Sequence, residues 1–211
     1  MVTKVCCEIQ KHIPQELYDL CLNRVGSYAA SCNKSLIQDH IELDPAETDS
    51  INNWLRSINL PKLGYAVIFQ KKDIDDDIND FIHVDYNGDY DELSKVAVNI
   101  PILNCRNTVM TWYNGQYSTR LRYANKEGDI SDILNQEYNI PFVSLCWQTI
   151  PQLIYTYELT NNAFIARVDI PHSVTASNNS RIVLSLRLYG NPGLADCIKR
   201  MKECNDKFEF F

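Results

Sequence analysis

The spacing of apolar residues in the first sixty positions is that of amphipathic helices. Residues recurring every three to four positions lie on one helical face and can be buried together. The first such stripe consists of Leu17, Tyr18, Leu20, Cys21 and Val25. The second, at about 50–58, consists of Ile51, Trp54, Leu55 and Ile58. The pattern therefore predicts a helical N-terminal part at residues 1–60, packed against whatever sheet follows.

From Gly64 onward the chain changes to short runs rich in β-branched and aromatic residues, which favour strands. Eight runs are GYAVIFQ, FIHVDY, KVAVNIPIL, TVMTWY, YSTRLRY, LIYTYEL, AFIARVDI and RIVLSLRLY. Only a brief helical stretch is expected between them, at 130–134, whereas a parallel α/β sheet needs a helix between successive strands. The pattern predicts a mainly β fold with flanking helices. Its core, at residues 64–190, is expected to be a double-stranded β-helix (jelly-roll or cupin-like). A C-terminal helix is expected at 193–205.

Length and charge narrow the possible functions. A chain of 211 residues with 45% hydrophobic residues fits a single domain at 1–211. The net charge is −7 and no stretch concentrates lysine and arginine, and this charge distribution argues against a nucleic-acid partner. No apolar run has the length of a signal peptide or a membrane span, so the sequence predicts a cytoplasmic protein without a membrane partner.

The eight cysteines do not form a metal-binding or disulfide pattern. None belongs to a C-x-x-C pair, and their spacings are irregular. We expect reduced thiols, as is usual inside cells. Cys197 and Cys204 are expected on one apolar helical face together with Leu194, Ile198 and Met201.

Candidate chemistry begins with histidine, of which the chain has only four. His83 and Asp85 are two residues apart in FIHVDY, so in an extended strand both side chains leave the same face and can share one ion. This pair alone is a weak signal, because a surface histidine beside an acid is common and an acidic run, Asp73 to Asp80, lies just upstream. His12 and His40 are interpreted as surface or capping residues.

A second candidate region is IARVDIPHSVTASNNSRIVLSLRLY, which contains His172 and Arg181. If its Ser-Asn-Asn-Ser run is the tip of a hairpin near Ser177 and Asn178, His172 lies opposite Val183. Arg181 is then a diagonal neighbour of His172, roughly 7 Å away at the backbone. A guanidinium there could bind the far carboxylate of a short diacid whose other end chelates a metal.

Alternation along the last strand predicts two different faces. One carries Arg181, Val183, Ser185 and Arg187, and the other carries Ile182, Leu184, Leu186 and Leu188. A strand with one polar and one apolar face, both occupied, is what a barrel with a ligand cavity requires.

H-x-D at His83 and Asp85, a distal His172 and a basic residue about ten positions later resemble the Fe(II)/2-oxoglutarate dioxygenase superfamily. The resemblance covers residues 64–190 and implies that His83, Asp85 and His172 are catalytic metal ligands for Fe(II). It also implies that 2-oxoglutarate is a cosubstrate held by Arg181. Many members have a hydroxyl residue two positions after this arginine, which helps to bind the carboxylate. In this chain that position is Val183, and the nearest hydroxyl on the same face is Ser185. Arg187 therefore stays an alternative to Arg181.

AVNIPILNCRNTVMTWY and PHSVTASNNSRIVLSLR further resemble a group of small oxygenase-like proteins common in viruses and bacteria. Asn99 and Trp112 occupy the matching positions. Asn99 either helps to hold 2-oxoglutarate or satisfies a buried backbone group. Trp112, like Trp147, is more typical of a core residue than of a substrate platform.

The resemblance predicts an oxygenase that hydroxylates an unidentified prime substrate, and other functions stay open. The main alternative is a non-catalytic jelly-roll structural or assembly protein, for example a viral one, that keeps the fold. Such a protein would be located in the virion with an assembly partner. A cupin-like metalloenzyme that does not use 2-oxoglutarate ranks third, because cupins usually contribute more histidines. Calcium binding by the acidic run is disfavoured because the glycine and terminal glutamate of an EF-hand loop are missing.

Overall fold

The computed structural model describes residues 4–31, 36–71, 82–87, 92–124, 130–137, 140–176, 181–204 and 208–210. These residues form mainly strands, with helices at both ends of the chain. The helices are α1 Gln15–Ser31, α2 Pro45–Ser57 and α3 Leu194–Glu203. The strands are β1 Cys6–Ile9, β2 Leu36–His40, β3 Leu63–Lys71, β4 Tyr86–Asn87, β5 Glu92–Leu93, β6 Val96–Leu103, β7 Thr108–Asn114, β8 Tyr117–Ala124, β9 Ile130–Ser131, β10 Ile140–Trp147, β11 Gln152–Glu158, β12 Phe164–Arg167, β13 His172–Ala176, β14 Arg181–Leu188 and β15 Phe208–Phe210.

Two antiparallel sheets contain most of these strands. The large sheet has the order β15-β1-β12-β6-β14-β3-β2, and a smaller sheet has the order β11-β7-β13. An isolated bridge between His83 and His172 adds the segment before β4 to the edge of the smaller sheet. Along the chain, strands therefore change repeatedly from one sheet to the other. This alternation confirms the predicted jelly-roll-like fold class.

The helices cover the outer face of the large sheet. Their apolar sides pack on the side chains of β3, β6 and β14 that point away from the smaller sheet. The fully buried members of this helix-facing core include Cys21, Val25, Ile51, Leu55, Ile58, Ile68, Ile100, Leu184 and Leu186. α2 begins at a capping box, in which Asp44 and Glu47 each accept a backbone N–H from the other.

A second core lies on the opposite face of the large sheet, toward the smaller sheet. Its buried residues include Ala97, Met110, Trp112, Phe164 and Val183. The Trp112 indole is completely buried and donates to the carbonyl of Arg167 at 2.9 Å, which makes it a core residue, as expected. The two cores place the alternating residues of β14 on different sides, as its sequence predicts.

Several local predictions differ from the structure. The N-terminal part is not only helical: β1 pairs with β12, and β2 pairs with β3. The stretch 130–134 begins with β9 rather than a helix. β10 and β13 also lie outside the eight predicted runs. Cys197 is buried, as expected, but Cys204 is exposed after the end of α3. The seven described cysteines are free thiols.

The predicted hairpin between the last two long strands is wrong. β13 pairs with β7 in the smaller sheet, whereas β14 pairs with β3 and β6 in the large sheet. His172 therefore lies opposite Trp112 and not opposite Val183.

The expected turn at Ser177 and Asn178 and the acidic run 73–80 lie outside the described residues. Over the described ranges, no helix is long and apolar enough to cross a bilayer. The assignment of the whole chain to one domain stays a prediction.

Candidate metal centre

His83, Asp85 and His172 converge on one point at the edge of the smaller sheet. One potential ligand atom from each lies within 4.8 Å of the others. Asp85 Oδ1 is 3.6 Å from His83 Nε2 and 3.9 Å from His172 Nε2. The sequence thus identified three side chains that the fold brings together from two segments nearly ninety residues apart.

Backbone hydrogen bonds hold these two segments in register. The N–H of each histidine donates to the carbonyl of the other, both at 2.9 Å. The N–H of Asp85 donates to Val168, and the carbonyl of Asp85 accepts from Ser94, again at 2.9 Å. Asp85 is therefore fixed on both sides although FIHVDY forms no long strand.

His172 is arranged as a neutral ligand. Its Nδ1 lies 3.0 Å from the carbonyl oxygen of Ile170, which can only accept, so the proton is on Nδ1 and the lone pair is on Nε2. Burial, followed by the neighbouring His83, lowers the pKa of His172 to about 4. Such a hydrogen bond to the second ring nitrogen orients metal-bound histidines.

The two oxygens of Asp85 have different surroundings. Oδ2 accepts a hydrogen bond from Arg187 Nη2 at 2.5 Å. Oδ1 is buried and has no hydrogen-bond partner. Burial alone would raise the pKa of Asp85, but Arg187 and then the two histidines outweigh it, and the net pKa lies below the usual value. Asp85 is thus a carboxylate with one oxygen turned toward two imidazole nitrogens.

A buried polar chain continues from Asp85 along the interior face of β14. Arg187 Nη1 donates to Ser185 Oγ at 3.0 Å, and Ser185 Oγ donates to Asn99 Oδ1 at 2.7 Å. All three residues are buried. The sequence placed Asn99, Ser185 and Arg187 near a cosubstrate, whereas these contacts connect them to Asp85. A direct contact with a cosubstrate stays a prediction for each of them.

Arg181 lies at the other end of the same face of β14. It is buried, its Nε has no hydrogen-bond partner, and burial lowers its pKa. Because β13 and β14 belong to different sheets, the diagonal-neighbour argument that favoured Arg181 over Arg187 no longer holds. The choice between the two arginines must rest on their contacts.

Two contacts of the site were missed by sequence analysis, namely Arg187 on Asp85 and the carbonyl of Ile170 on His172. Alternation put Arg187 inside the fold, which was a usable signal. The backbone carbonyl of Ile170 has no sequence signal. Of the other histidines, His12 is exposed, and His40 is exposed and stacks on Tyr65 at 4.8 Å between ring centroids. Both fit the expected surface role.

The donor set fits a divalent transition metal. Two imidazoles and one carboxylate form the facial arrangement that non-heme Fe(II) oxygenases use. A buried, unpartnered carboxylate oxygen costs free energy unless a cation or a donor meets it. A metal ion at this point would meet that need of Asp85 Oδ1.

Comparisons with known proteins add little to this geometry. No protein-family model matches the chain, and a search of curated proteins finds no match either. Among solved structures, the chain is similar to a prolyl-4-hydroxylase from Pseudomonas putida, with a TM-score of 0.42 and 12% sequence identity. That alignment covers 89% of this chain and 95% of the other. The fold class and the candidate site therefore rest on the strand topology and the side-chain contacts described above.

Proposed function

We propose that this protein is an Fe(II)- and 2-oxoglutarate-dependent oxygenase that hydroxylates a substrate still to be identified. The observation that carries the proposal is Asp85 Oδ1, a buried carboxylate oxygen without a hydrogen-bond partner that faces the Nε2 atoms of His83 and His172. His83, Asp85 and His172 would hold the metal. When bound, Fe(II) supplies the oxidative decarboxylation of 2-oxoglutarate coupled to hydroxylation of a C–H bond.

Arg181 is the better candidate for binding the distal carboxylate of 2-oxoglutarate. A buried guanidinium with an unpartnered Nε is costly unless an anion pairs with it. Arg187 already donates to Asp85 and Ser185. Giving Arg187 to the cosubstrate would remove the positive charge that stabilises Asp85. Arg181 can bind an anion without such a loss.

Arg187 then has a positioning role, supported by Ser185 and Asn99. By occupying Asp85 Oδ2 it leaves Oδ1 as the oxygen presented to the metal. Ser185 Oγ accepts from Arg187 and donates its O–H to Asn99 Oδ1, which limits the rotation of the guanidinium. This arrangement fixes the carboxylate before the metal arrives.

The substrate would approach on the side of His83. The His83 side chain is 26% exposed, compared with 7% for Asp85 and 3% for His172. Protein therefore covers two of the three ligands, and solvent reaches the third. Water is excluded from most of the centre, while one side remains accessible to a substrate.

The first experiment measures whether the Fe(II)-loaded protein converts 2-oxoglutarate to succinate without added substrate. His172→Ala should abolish both this turnover and binding of Fe(II) at micromolar concentration, while its circular dichroism stays that of a folded protein. His40→Ala is the matched control, because His40 is an exposed histidine outside the site. If His172→Ala binds iron as well as the parent, the metal site lies elsewhere.

A second experiment tests the cosubstrate. Anaerobic titration of the Fe(II) protein with 2-oxoglutarate should produce a weak visible charge-transfer band. Arg181→Ala should weaken this binding by about 2 to 4 kcal/mol, with little change in iron affinity. The absence of a band in the parent would favour the non-catalytic assembly protein. An unaltered affinity in Arg181→Ala would transfer the role to Arg187.

A further inference from the structure

A large cleft lies along α3 and is not part of the metal centre. It has a volume of about 880 Å³ and runs along the length of α3, between this helix and the residues near the ends of β1, β6 and β12. Its lining consists of Lys4, Lys95, Arg167, Asp169, Gly193, Leu194, Ala195, Ile198, Lys199, Lys202 and Glu203. None of the three candidate metal ligands lines it.

The charge of the cleft is opposite to that of the chain. Arg167 forms a bidentate pair with Asp169, at 2.9 and 2.7 Å, which neutralises both. Among the described lining residues there are then four lysines and one further carboxylate, Glu203, in a protein with net charge −7. Lys95 and Lys199 are exposed and form no salt bridge with a described residue. Between the lysines the wall is apolar, formed by the α3 side chains.

Hydrogen bonds connect this cleft to Asp85. The N–H of Val168 donates to the carbonyl of Lys95 at 3.2 Å, and the carbonyl of Val168 accepts from the N–H of Asp85 at 2.9 Å. Val168 lies between the two members of the Arg167–Asp169 pair. The wall of the cleft and the support of Asp85 are therefore built from the same backbone, so a ligand chain lying in the cleft would be held next to the backbone that positions Asp85.

We propose that the cleft binds an acidic peptide segment of the protein that is hydroxylated. This proposal rests on the proposed function and names its substrate class. The lysines come from separate elements and are spread along the cleft, which suits an extended series of carboxylates better than one phosphate. Apolar wall residues provide anchors for aliphatic side chains of the same segment. The described residues of the lining include no aromatic side chain on which the bases of a single-stranded nucleic acid could stack.

The test uses fluorescence anisotropy with a labelled peptide in which glutamates are interspersed with leucines. The parent should bind this peptide at low salt, and affinity should fall steeply as salt is added. Replacing every glutamate by glutamine should abolish binding. The double variant Lys95→Glu, Lys199→Glu should bind at least tenfold more weakly. Arg200→Glu is the matched control for the single variant Lys199→Glu, because it makes the same charge change next to Lys199 on α3 but outside the cleft.

Three outcomes would overturn the docking site: no binding by the parent, equal weakening by Arg200→Glu, or tighter binding of a single-stranded oligonucleotide with the same dependence on Lys95 and Lys199. His172→Ala separates this proposal from the proposed function. That variant should keep peptide affinity while losing iron. Peptide binding in a protein that never consumes 2-oxoglutarate would support the cleft and refute the oxygenase. Consumption of 2-oxoglutarate without peptide binding would support the oxygenase and refute the peptide site in the cleft.

Discussion

The two faces of β14, in the large sheet, are both buried but are stabilised by different interactions. All eight residues of β14 are buried. On the helix-facing side its side chains are aliphatic and pack with many neighbours. On the interior side, Arg181, Ser185 and Arg187 are polar, and two of them take part in the chain of hydrogen bonds to Asp85.

This difference separates stability from function within one strand. Apolar burial is non-directional, at about 25 cal/mol per Å², and tolerates small rearrangements. A buried charge depends on one partner, and replacing such a pair by apolar residues of similar size is often neutral or stabilising. The polar interior face therefore contributes less to stability than an apolar face would, but it holds the Asp85 carboxylate in one orientation. We expect variants of the two faces to change different measured quantities.

The largest effect should come from the helix-facing side. Leu184 is completely buried there, and Leu184→Ala removes apolar contacts and leaves a cavity. We expect the free energy of unfolding to fall by about 4 kcal/mol, measured by urea denaturation. Metal affinity of the folded fraction, measured under conditions where the variant is folded, should stay within twofold of the parent. A large loss of metal affinity would show that the two faces are not independent.

The same contrast explains what the sequence could predict. Period-two alternation in RIVLSLRLY identified both faces, because a strand buried on two sides leaves a direct trace in residue type. Local spacing could not tell which sheet a strand joins, so the hairpin argument for Arg181 failed. The contact between Arg187 and Asp85 spans 102 residues and depends on that sheet assignment. The short β1 was missed because Cys6 and Cys7 were interpreted only by their thiol chemistry.

The next effect concerns pH and should come from the site. The folded pKa of His172 is about 4, against 6.5 for an unperturbed histidine. Between these values the unfolded chain binds a proton that the folded chain does not. The metal-free protein should therefore lose up to about 3 kcal/mol of stability as pH falls from 6.5 to 4 and be unaffected by this group above 6.5. The free energy of unfolding, measured by urea denaturation at several pH values in this range, should depend less on pH for His172→Gln than for the parent.

A smaller effect is expected from Arg187→Met, which keeps much of the side-chain volume and removes the charge. Asp85 Oδ2 then loses its donor, and the carboxylate is free to rotate. We expect Co(II) affinity, measured by calorimetry, to fall about ten- to a hundredfold, or about 1.4 to 2.7 kcal/mol. Arg187→Lys should restore part of the loss. Arg120→Met is the control, because Arg120 pairs with Asp132 at the surface. Unchanged affinity in Arg187→Met would remove Arg187 from the site.

The smallest effect tests whether the helical layer influences the site at all. Asp44 accepts the N–H of Glu47 at 2.9 Å, and Glu47 accepts the N–H of Asp44 at 2.8 Å, at the start of α2. Asp44→Ala removes one of these bonds and the favourable charge at the helix N-terminus, so it should cost about 1 kcal/mol of unfolding free energy. Asp44→Asn keeps an acceptor and should cost less. Because α2 packs on the face of the sheet opposite to Asp85, neither variant should alter Co(II) affinity. A change in that affinity comparable to the change in stability would mean that metal binding reports on the whole fold, and the separation of the two faces would then be wrong.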